Sequence, residues 1–326
     1  MPMRLFTDSS ANLSLAYTTA HDVHVLPLTL LLDGQELLCD DPVFDREAFY
    51  VRLRTDKTVE LKTSMLNDGA FLDAFTPAVQ AGDDVLYVAM SSGISGTVAA
   101  AERAAQTLRT QFPDRQIEVL DTMGASLGEG LVVMEAVALR DAGKSVLESK
   151  ELLTQRRTQL HQHFLVDDLM FLKRGGRIRG SAALIASLIN LKPIMTADEQ
   201  GHIVVDRKVV SRRKALRTLA TIFEEQYVPC AENVQAAIAH CGCEQDAKVL
   251  AETIRTQHPE VQFTFACYEP GTGAHVGPDT VALFFWGEPR KESEPVLPAL
   301  RAKTAAEARS IKEGIASKLP GAKDKQ

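Results

Sequence analysis

The apolar run Val85-Leu86-Tyr87-Val88-Ala89-Met90, the polar turn Ser91-Ser92-Gly93-Ile94-Ser95-Gly96-Thr97 behind it and the alanine-rich helical pattern to Phe112 constrain this chain's fold more than any other stretch. An uninterrupted apolar strand has no face to offer water, so it belongs in a parallel sheet with helices on both sides. The order strand, polar turn, helix recurs. Leu5-Phe6-Thr7 leads into Asp8-Ser9-Ser10-Ala11-Asn12-Leu13 and a helical pattern to about His21, and Gln116 to Leu120 leads into Asp121-Thr122 and a long helix from about Ala125 to Ala142. In open parallel sheets ligands sit off the carboxyl ends of the strands. Asp8-Ser9-Ser10, Ser91-Ser92 and Asp121-Thr122 are expected along that one edge.

A hydroxyl-rich turn at a helix N-terminus points free backbone N–H groups and the positive end of the helix dipole at one spot, which is the geometry of an anion site. The turn after Met90 has no Gly-Lys-Ser/Thr ending to bring a lysine to a triphosphate, and its glycines do not spell G-x-G-x-x-G. Hydroxyls and a neutral helix end suit a single carboxylate or similar small anion. The same residues read equally as an ordinary Ser/Thr helix cap, and this loop alone leaves both readings open.

Elsewhere in the first half, Val23 to Leu32 reads as strand, Asp33-Gly34 as a hairpin turn, and Gln35 to Leu38 as the returning strand. Asp45 to Arg54 and Asp68 to Gln80 read as helices. A helical stretch from Glu148 to His161 leads into a second half containing Phe164-Leu165-Val166, a basic loop Lys173-Arg174-Gly175-Gly176-Arg177-Ile178-Arg179 and an apolar helix Ala182 to Asn190. Strands at Pro193 to Ala197 and His202 to Val209, a helix Arg212 to Gln226, a strand Val234 to Ala239, a helix Gln245 to Gln257, and strands Val261 to Ala266 and Val281 to Trp286 complete it. The expected fold class is α/β in two domains: a parallel-sheet α/β domain over 1–160 and an α+β domain over 161–287. Over 288–326 the composition shifts to Lys, Glu, Ala, Ser and Pro, read as a mobile charged tail; Ile311, Ile315 and Leu319 leave a single helix as the other reading.

A length of 326 residues agrees with about two domains. The net charge of −7 argues against a nucleic-acid binder dominated by phosphate contacts. Met1-Pro2-Met3-Arg4 runs straight into Leu5-Phe6-Thr7, and no apolar run reaches the ~18–20 residues of a membrane span. A cytoplasmic protein with peripheral or no membrane contact is expected. Five cysteines without framework spacing fit free thiols in a reducing compartment. Cys241-Gly242-Cys243 has no second matching pair, and His161-Gln162-His163 with Asp167-Asp168 need not converge, so neither metal nor cofactor is expected.

Three more features bear on chemistry. Lys62-Thr63-Ser64 follows the strand-like Thr58 to Leu61 and precedes a helix, so alone it reads as a cap. Gly273-Ala274-His275-Val276-Gly277-Pro278 reads as a glycine-rich loop whose small residues leave His275 room to reach a ligand, or as a loop with a surface histidine. The basic loop reads as solvated or as a partner or phosphate site. A serine hydrolase or acyltransferase working on acyl esters through Ser92 or Ser95 with His275 is the competing class. Against it, Gly93-Ile94-Ser95-Gly96 misses G-x-S-x-G by one position, and no third group evidently orients the histidine.

Taken in order, Thr7-Asp8-Ser9-Ser10-Ala11-Asn12-Leu13, Thr63-Ser64, Ser91-Ser92-Gly93-Ile94-Ser95-Gly96-Thr97, Leu172-Lys173-Arg174-Gly175-Gly176-Arg177-Ile178, Leu191-Lys192-Pro193-Ile194 and His275-Val276-Gly277-Pro278 resemble the DegV family of bacterial lipid-binding proteins. The resemblance covers about residues 3 to 286. It implies a long-chain fatty acid buried in a tunnel between two domains, its carboxylate bound by Thr63 or Ser64, by Ser91 or Ser92, and by His275. It also implies a separate, dihydroxyacetone-kinase-like fatty acid kinase that converts the bound acid to acyl phosphate for phospholipid synthesis. The chain itself would then carry substrate and perform no catalysis.

Leu184, Ile185, Leu188 and Ile189, with Leu191, would line the acyl tunnel, a face that reads equally as core packing. Lys173, Arg174 and Arg177 are the partner or phosphate candidates. Four positions depart from the family pattern: Met65-Leu66 replace Gln-Pro, Asp279 replaces a glycine, and Val210 stands where an arginine associated with kinase docking is common, with Arg207, Arg212 and Arg213 nearby. Another amphipathic carboxylate remains a third ligand class. The physics suits a fatty acid: a buried carboxylate is costly unless its oxygens are paired. An acyl chain of about sixteen carbons gains ~10 kcal/mol gross at ~0.8 kcal/mol per CH₂, before ordering costs.

Overall fold

The computed structural model describes residues 2–180, 187–188, 191–229 and 234–290. Its first half runs β1 (Met3–Asp8), α1 (Leu15–Ala20), β2 (Val23–Leu26), β3 (Thr29–Leu32), β4 (Gln35–Leu38), α2 (Arg46–Thr55), β5 (Leu61–Ser64), α3 (Asp68–Gln80), β6 (Asp84–Ala89), α4 (Thr97–Gln111), β7 (Ile117–Asp121) and α5 (Leu127–Asp141). Strands β2-β1-β6-β7, in that spatial order, form an all-parallel sheet. Every residue of β6 is buried, as its unbroken apolar run requires. One face of the sheet is covered by α3 and α4, where Phe71, Phe75 and Tyr87 pack against Ala100, Ala104 and Ala105. The alanines leave no bulk on that side of α4, so the helix sits close to the sheet.

The predicted strand Val23 to Leu32 is two strands. Pro27, which has no N–H to give a ladder, separates β2 of the parallel sheet from β3 of a small antiparallel sheet ordered β4-β3-β5. Asp33 (φ 49°) and Gly34 (φ 82°) form the two-residue turn that sets Leu32 opposite Gln35.

The second half runs α6 (Val146–Arg156), β8 (Leu160–Leu165), α7 (Met170–Gly175), β9 (Ile194–Ala197), β10 (Ile203–Arg207), α8 (Arg212–Gln226), β11 (Gln235–His240), α9 (Glu244–Arg255), β12 (Gln262–Cys267), α10 (Pro270–Val276) and β13 (Val281–Trp286). Its six-stranded sheet has the order β10-β9-β8-β13-β11-β12 and is mixed: β11 and β12 pair in parallel, and the other neighbours are antiparallel. Helices α8 and α9 cover one face through Leu219, Phe223, Leu250 and Ile254. The opposite face, with Phe164, Ala237 and Phe284, meets α5 and joins the main core. A parallel-sheet N-terminal domain and a mixed-sheet C-terminal domain thus share α5 as their common packing element, within one compact unit that runs to Arg290.

Three further segments differ from the sequence reading. The helix predicted to His161 stops at Arg156, and His161 and His163 lie on β8, where alternation separates them from Gln162 and Phe164. Their nitrogens are engaged locally: His161 Nε2 by Glu288 O at 2.8 Å, and His163 by Asp206 at 3.2 Å and Gln226 at 2.9 Å. The basic loop is in part helix α7, closed by Gly176 in the left-handed region. The glycine-rich loop is helix α10, with Pro270 in its first turn and the buried Glu269 carboxylate accepting the N–H groups of Gly271 and Thr272. The apolar helix predicted over Ala182 to Asn190 and the tail beyond Arg290 lie outside the described residues, apart from 187–188. Among the described residues no helix is long and apolar enough to cross a membrane.

Candidate functional site

Between the carboxyl edge of the parallel sheet and the inner face of the mixed sheet lies a cavity that opens to solvent at its mouth. The parallel side contributes Met90, Ser91, Ile94 and Ser95 after β6, and Met123, Gly124 and Ala125 after β7. The mixed sheet contributes Gln162 and Phe164 from β8 and Phe284 from β13, the residues that alternation turns away from α8 and α9. Thr63 and Ser64 of β5, Arg177 after α7, Gly201 and Ile203 at β10, and Thr272, His275 and Val276 of α10 close the rest. Walls of Leu28, Met90, Ile94, Phe164, Ile203 and Phe284 make it mainly apolar, with polar groups at a few points, the usual composition of a small-molecule site.

At one end Thr63 Oγ1 and His275 Nε2 are 2.8 Å apart. Burial, with a smaller contribution from the Arg177 charge, pushes the His275 imidazole down to about 4, so it is neutral at pH 7. A Cβ on Gly175 would lie 2.3 Å from His275 Nδ1, so the close approach of α7 to α10 that seats the ring depends on a residue without a side chain. Arg177 makes no ion pair among the described residues; its guanidinium donates to Gly175 O and, at 3.3 Å, to Ile94 O. Thr63 and His275 also line a second, outward-facing depression with Lys57, Lys62 and Arg174, beside Asp56 and Glu60. One hydroxyl–imidazole pair therefore stands between an apolar interior and a polar outer groove.

Ser91 and its neighbour part company. Ser91 is buried, donates to Gly201 O at 2.9 Å and accepts from Gly93 N at 3.0 Å. Gly201 has φ 73°, and a Cβ there would sit 2.0 Å from Ser91 Oγ, so this loop-to-loop contact needs glycine. Ser92 is exposed, is absent from the cavity wall and donates to Asp121 Oδ2 at 2.5 Å. Ser95, read before only as a cap or nucleophile, lines the cavity and hydrogen-bonds Thr97 at 2.8 Å. His275 meets a threonine, and neither Ser92 nor Ser95 is bonded to it.

Among the other candidates, Arg174 lies over the Phe171 ring at 4.7 Å and faces the outer groove, and Lys173 is exposed on α7. Leu188 is fully buried in the main core; Leu184, Ile185 and Ile189 are outside the described residues. Val210 is exposed, while Arg207 pairs with Glu225 and Arg212 with Asp246. Asp8-Ser9-Ser10, expected on the ligand edge, is buried behind the wall. Asp8 accepts from Ser10 N at 2.9 Å and Tyr87 Oη at 2.6 Å, and Glu129 of α5 accepts from Thr7 Oγ1 at 3.0 Å and from Ser10. Burial pushes both carboxyls above their ordinary range. Ser9 Oγ accepts the N–H of Leu28 at 3.0 Å, so this motif positions a wall residue rather than touching the cavity.

A sequence profile described as "Uncharacterised protein, DegV family" matches residues 2–288. A DegV domain-containing protein of Clostridium perfringens is 34% identical over 288 residues, which is 88% of this chain and 98% of that protein. The chain belongs to the DegV family. Two solved DegV structures share its architecture: a DegV family protein of Thermus thermophilus described by its fatty acid binding (TM-score 0.77, 28% identity, 88% of this chain and 100% of the other) and the fatty acid binding DegV family protein of Streptococcus agalactiae (TM-score 0.78, 25% identity, 88% and 99%).

Two polar residues of this DegV chain escaped the sequence reading, Gln162 on the cavity wall and Glu129 buried behind it. Gln162 clips β8 to the turn after β7 by donating to Met123 O at 3.0 Å and accepting from Ala125 N at 3.3 Å. Its signal was the alternation of β8, masked because three of its first four residues are polar. Glu129 sits in an apolar helical run, where a lone carboxylate is itself a sign of buried hydroxyl partners.

Proposed function

We propose that this protein binds a long-chain fatty acid in the cavity between its two sheets and presents the carboxylate to a separate fatty acid kinase for acyl-phosphate formation. The observation that carries the reading is the Thr63–His275 pair, a hydroxyl and a neutral imidazole at the end of an apolar cavity. Such a pair hydrogen-bonds a carboxylate without a fixed counter-charge, and Arg177, unpaired with any acid among the described residues, adds an attractive field. Ser64, Ser91 and Ser95 supply further hydroxyls on the same walls, with the buried acyl chain providing most of the affinity.

Presentation to a kinase is supported by the shared position of Thr63 and His275 between the inner cavity and the outer groove bearing Lys57, Lys62 and Arg174. A carboxylate held there is within reach of a phosphoryl donor from outside while its chain stays covered. Arg174 is the partner or phosphate contact we propose, with Lys173 beside it on the exposed side of α7. The fatty acid binding named for two solved relatives supports the lipid part of this reading.

The test is to purify the protein, denature it in organic solvent and identify the released small molecules by mass spectrometry, with added fatty acid as a second arm. Near-stoichiometric fatty acid, retained or rebound, is expected. Failure of the chain both to carry and to bind fatty acids would overturn the reading. In the same preparation a fluorophosphonate probe is expected to leave the serines unlabelled.

A further inference from the structure

A second cluster of functional side chains stands apart from the cavity, where β11 and β12 end. These strands are the parallel pair of the mixed sheet, and their last residues, His240 and Cys267, face each other in register. Residues in register on adjacent parallel strands point to the same side of the sheet. Helix α2 brings a third group. Glu47, Tyr50 and Arg54 share one helical face at i, i+3 and i+7, and that face docks on the same strand ends: Tyr50 Oη donates to Tyr268 O at 3.0 Å, and Arg54 donates to Gly242 O and to the Asp279 carboxylate at 2.9 Å. The result is that a carboxylate oxygen of Glu47, an imidazole nitrogen of His240 and the Cys267 sulfur all lie within 4.8 Å of one another.

We propose that Glu47, His240 and Cys267 bind a thiophilic divalent cation of the zinc class, with water completing the coordination and the ion clipping α2 to the ends of β11 and β12. Oxygen, nitrogen and sulfur donors in this combination suit zinc and match neither calcium nor magnesium, which take oxygen. An independent observation points to a ligand. His240 is 5% exposed, and its Nδ1 is buried with no hydrogen-bond partner among the described residues. A buried imidazole nitrogen left unpaired is costly, and a cation in the cluster offers the ring a partner. Glu47 is exposed and Cys267 half-buried, so an ion has a route in from solvent.

The charged surroundings are mixed. Arg46, donating to Cys267 O at 3.0 Å, and Lys248 oppose a cation, whereas Glu47 and Glu244 favour it. Burial holds the Cys267 thiol up at about 11, so binding at neutral pH displaces its proton to water as the sulfur–metal bond forms.

The experiment uses the whole chain, stripped with a chelator and titrated first with Co(II), then with Zn(II). Expected are the intense visible bands of four-coordinate Co(II) with thiolate-to-metal charge transfer, saturating at a single equivalent and bleached by Zn(II). Cys267→Ser abolishes the charge-transfer band, and Glu47→Gln and His240→Ala each weaken Co(II) binding by at least about 10-fold. Cys243→Ser, which removes the neighbouring thiol outside the cluster, retains the band. No charge-transfer band in the wild-type chain, or one that survives Cys267→Ser, would overturn the proposal. A second measurement needs no variant. Zn(II) should protect Cys267 from alkylation in the folded wild-type protein, read by peptide mass spectrometry, and equal labelling with and without Zn(II) counts against the site. Neither readout involves bound lipid, so this proposal and the fatty-acid reading fail separately.

Discussion

On the parallel-sheet side the cavity is walled by loops at strand ends, held by hydrogen bonds such as Ser91 to Gly201 and Gln162 to the turn at Met123. On the mixed-sheet side it is walled by the strands themselves, and Phe164 and Phe284 are held by packing within the main core. Loops supply polar groups whose positions depend on a few contacts, and strand faces supply apolar surface whose position is shared by the whole sheet. The difference teaches that the polar groups of one wall hang on a few individual contacts, whereas the apolar surface of the other is bound up with the packing of a whole sheet.

Substitutions on the packed wall, at the seat of His275 and in the serine loop sharpen that contrast. Phe284→Ala, on the packed wall, is expected to cost about 3–5 kcal/mol of unfolding free energy in urea titrations; a cost below about 1 kcal/mol would show that strand faces are not the rigid side. Gly175→Ala forces a Cβ against His275 Nδ1. It is expected to cost about 1–3 kcal/mol by overpacking and to release bound fatty acid as His275→Ala would; retention at wild-type level would remove His275 from the carboxylate grip.

A smaller effect is expected in the pH dependence of stability. Burial holds His275 at about 4 in the folded chain, below its ordinary value of 6.5. Between these values the unfolded chain binds more protons, so stability is fully present above about 6.5 and falls as pH drops toward about 4. His161, also held at about 4, contributes in the same direction. His275→Gln should therefore make the slope shallower without abolishing it, and an unchanged slope would mean that the imidazole is not shielded. The smallest effect belongs to Ser92→Ala, expected within about 0.5 kcal/mol of wild type and with lipid occupancy unchanged. Ser91→Ala next door is expected to cost about 1–3 kcal/mol by stranding Gly201 O and Gly93 N.

The elements whose code is local were legible in both halves of the chain. β6, α3, α8 and β13 each carry an unbroken or strictly periodic apolar pattern, and their limits lie within a residue of the sequence reading. β8 was misread at its start because Leu160-His161-Gln162-His163 holds polar residues on both faces of a buried strand, and their partners Asp206, Gln226 and Met123 come from elsewhere in the chain. α10 was hidden by its glycines, which are poor helix formers; Gly273 is where Tyr50 packs, a requirement visible only in three dimensions. At the cavity the sequence could name Ser91 and Ser92 together but not separate them. Which hydroxyl turns inward is decided by Gly201 and Asp121, residues 110 and 29 positions away.

The Thr63–His275 contact joins groups 212 positions apart. In a chain made from its N-terminus, the hydroxyl half of this grip emerges long before the imidazole half exists. Every product that stops short of residue 275 therefore has the hydroxyl without the imidazole. On the proposed reading, such a product lacks the imidazole half of the carboxylate contact and cannot hold its ligand in the proposed way.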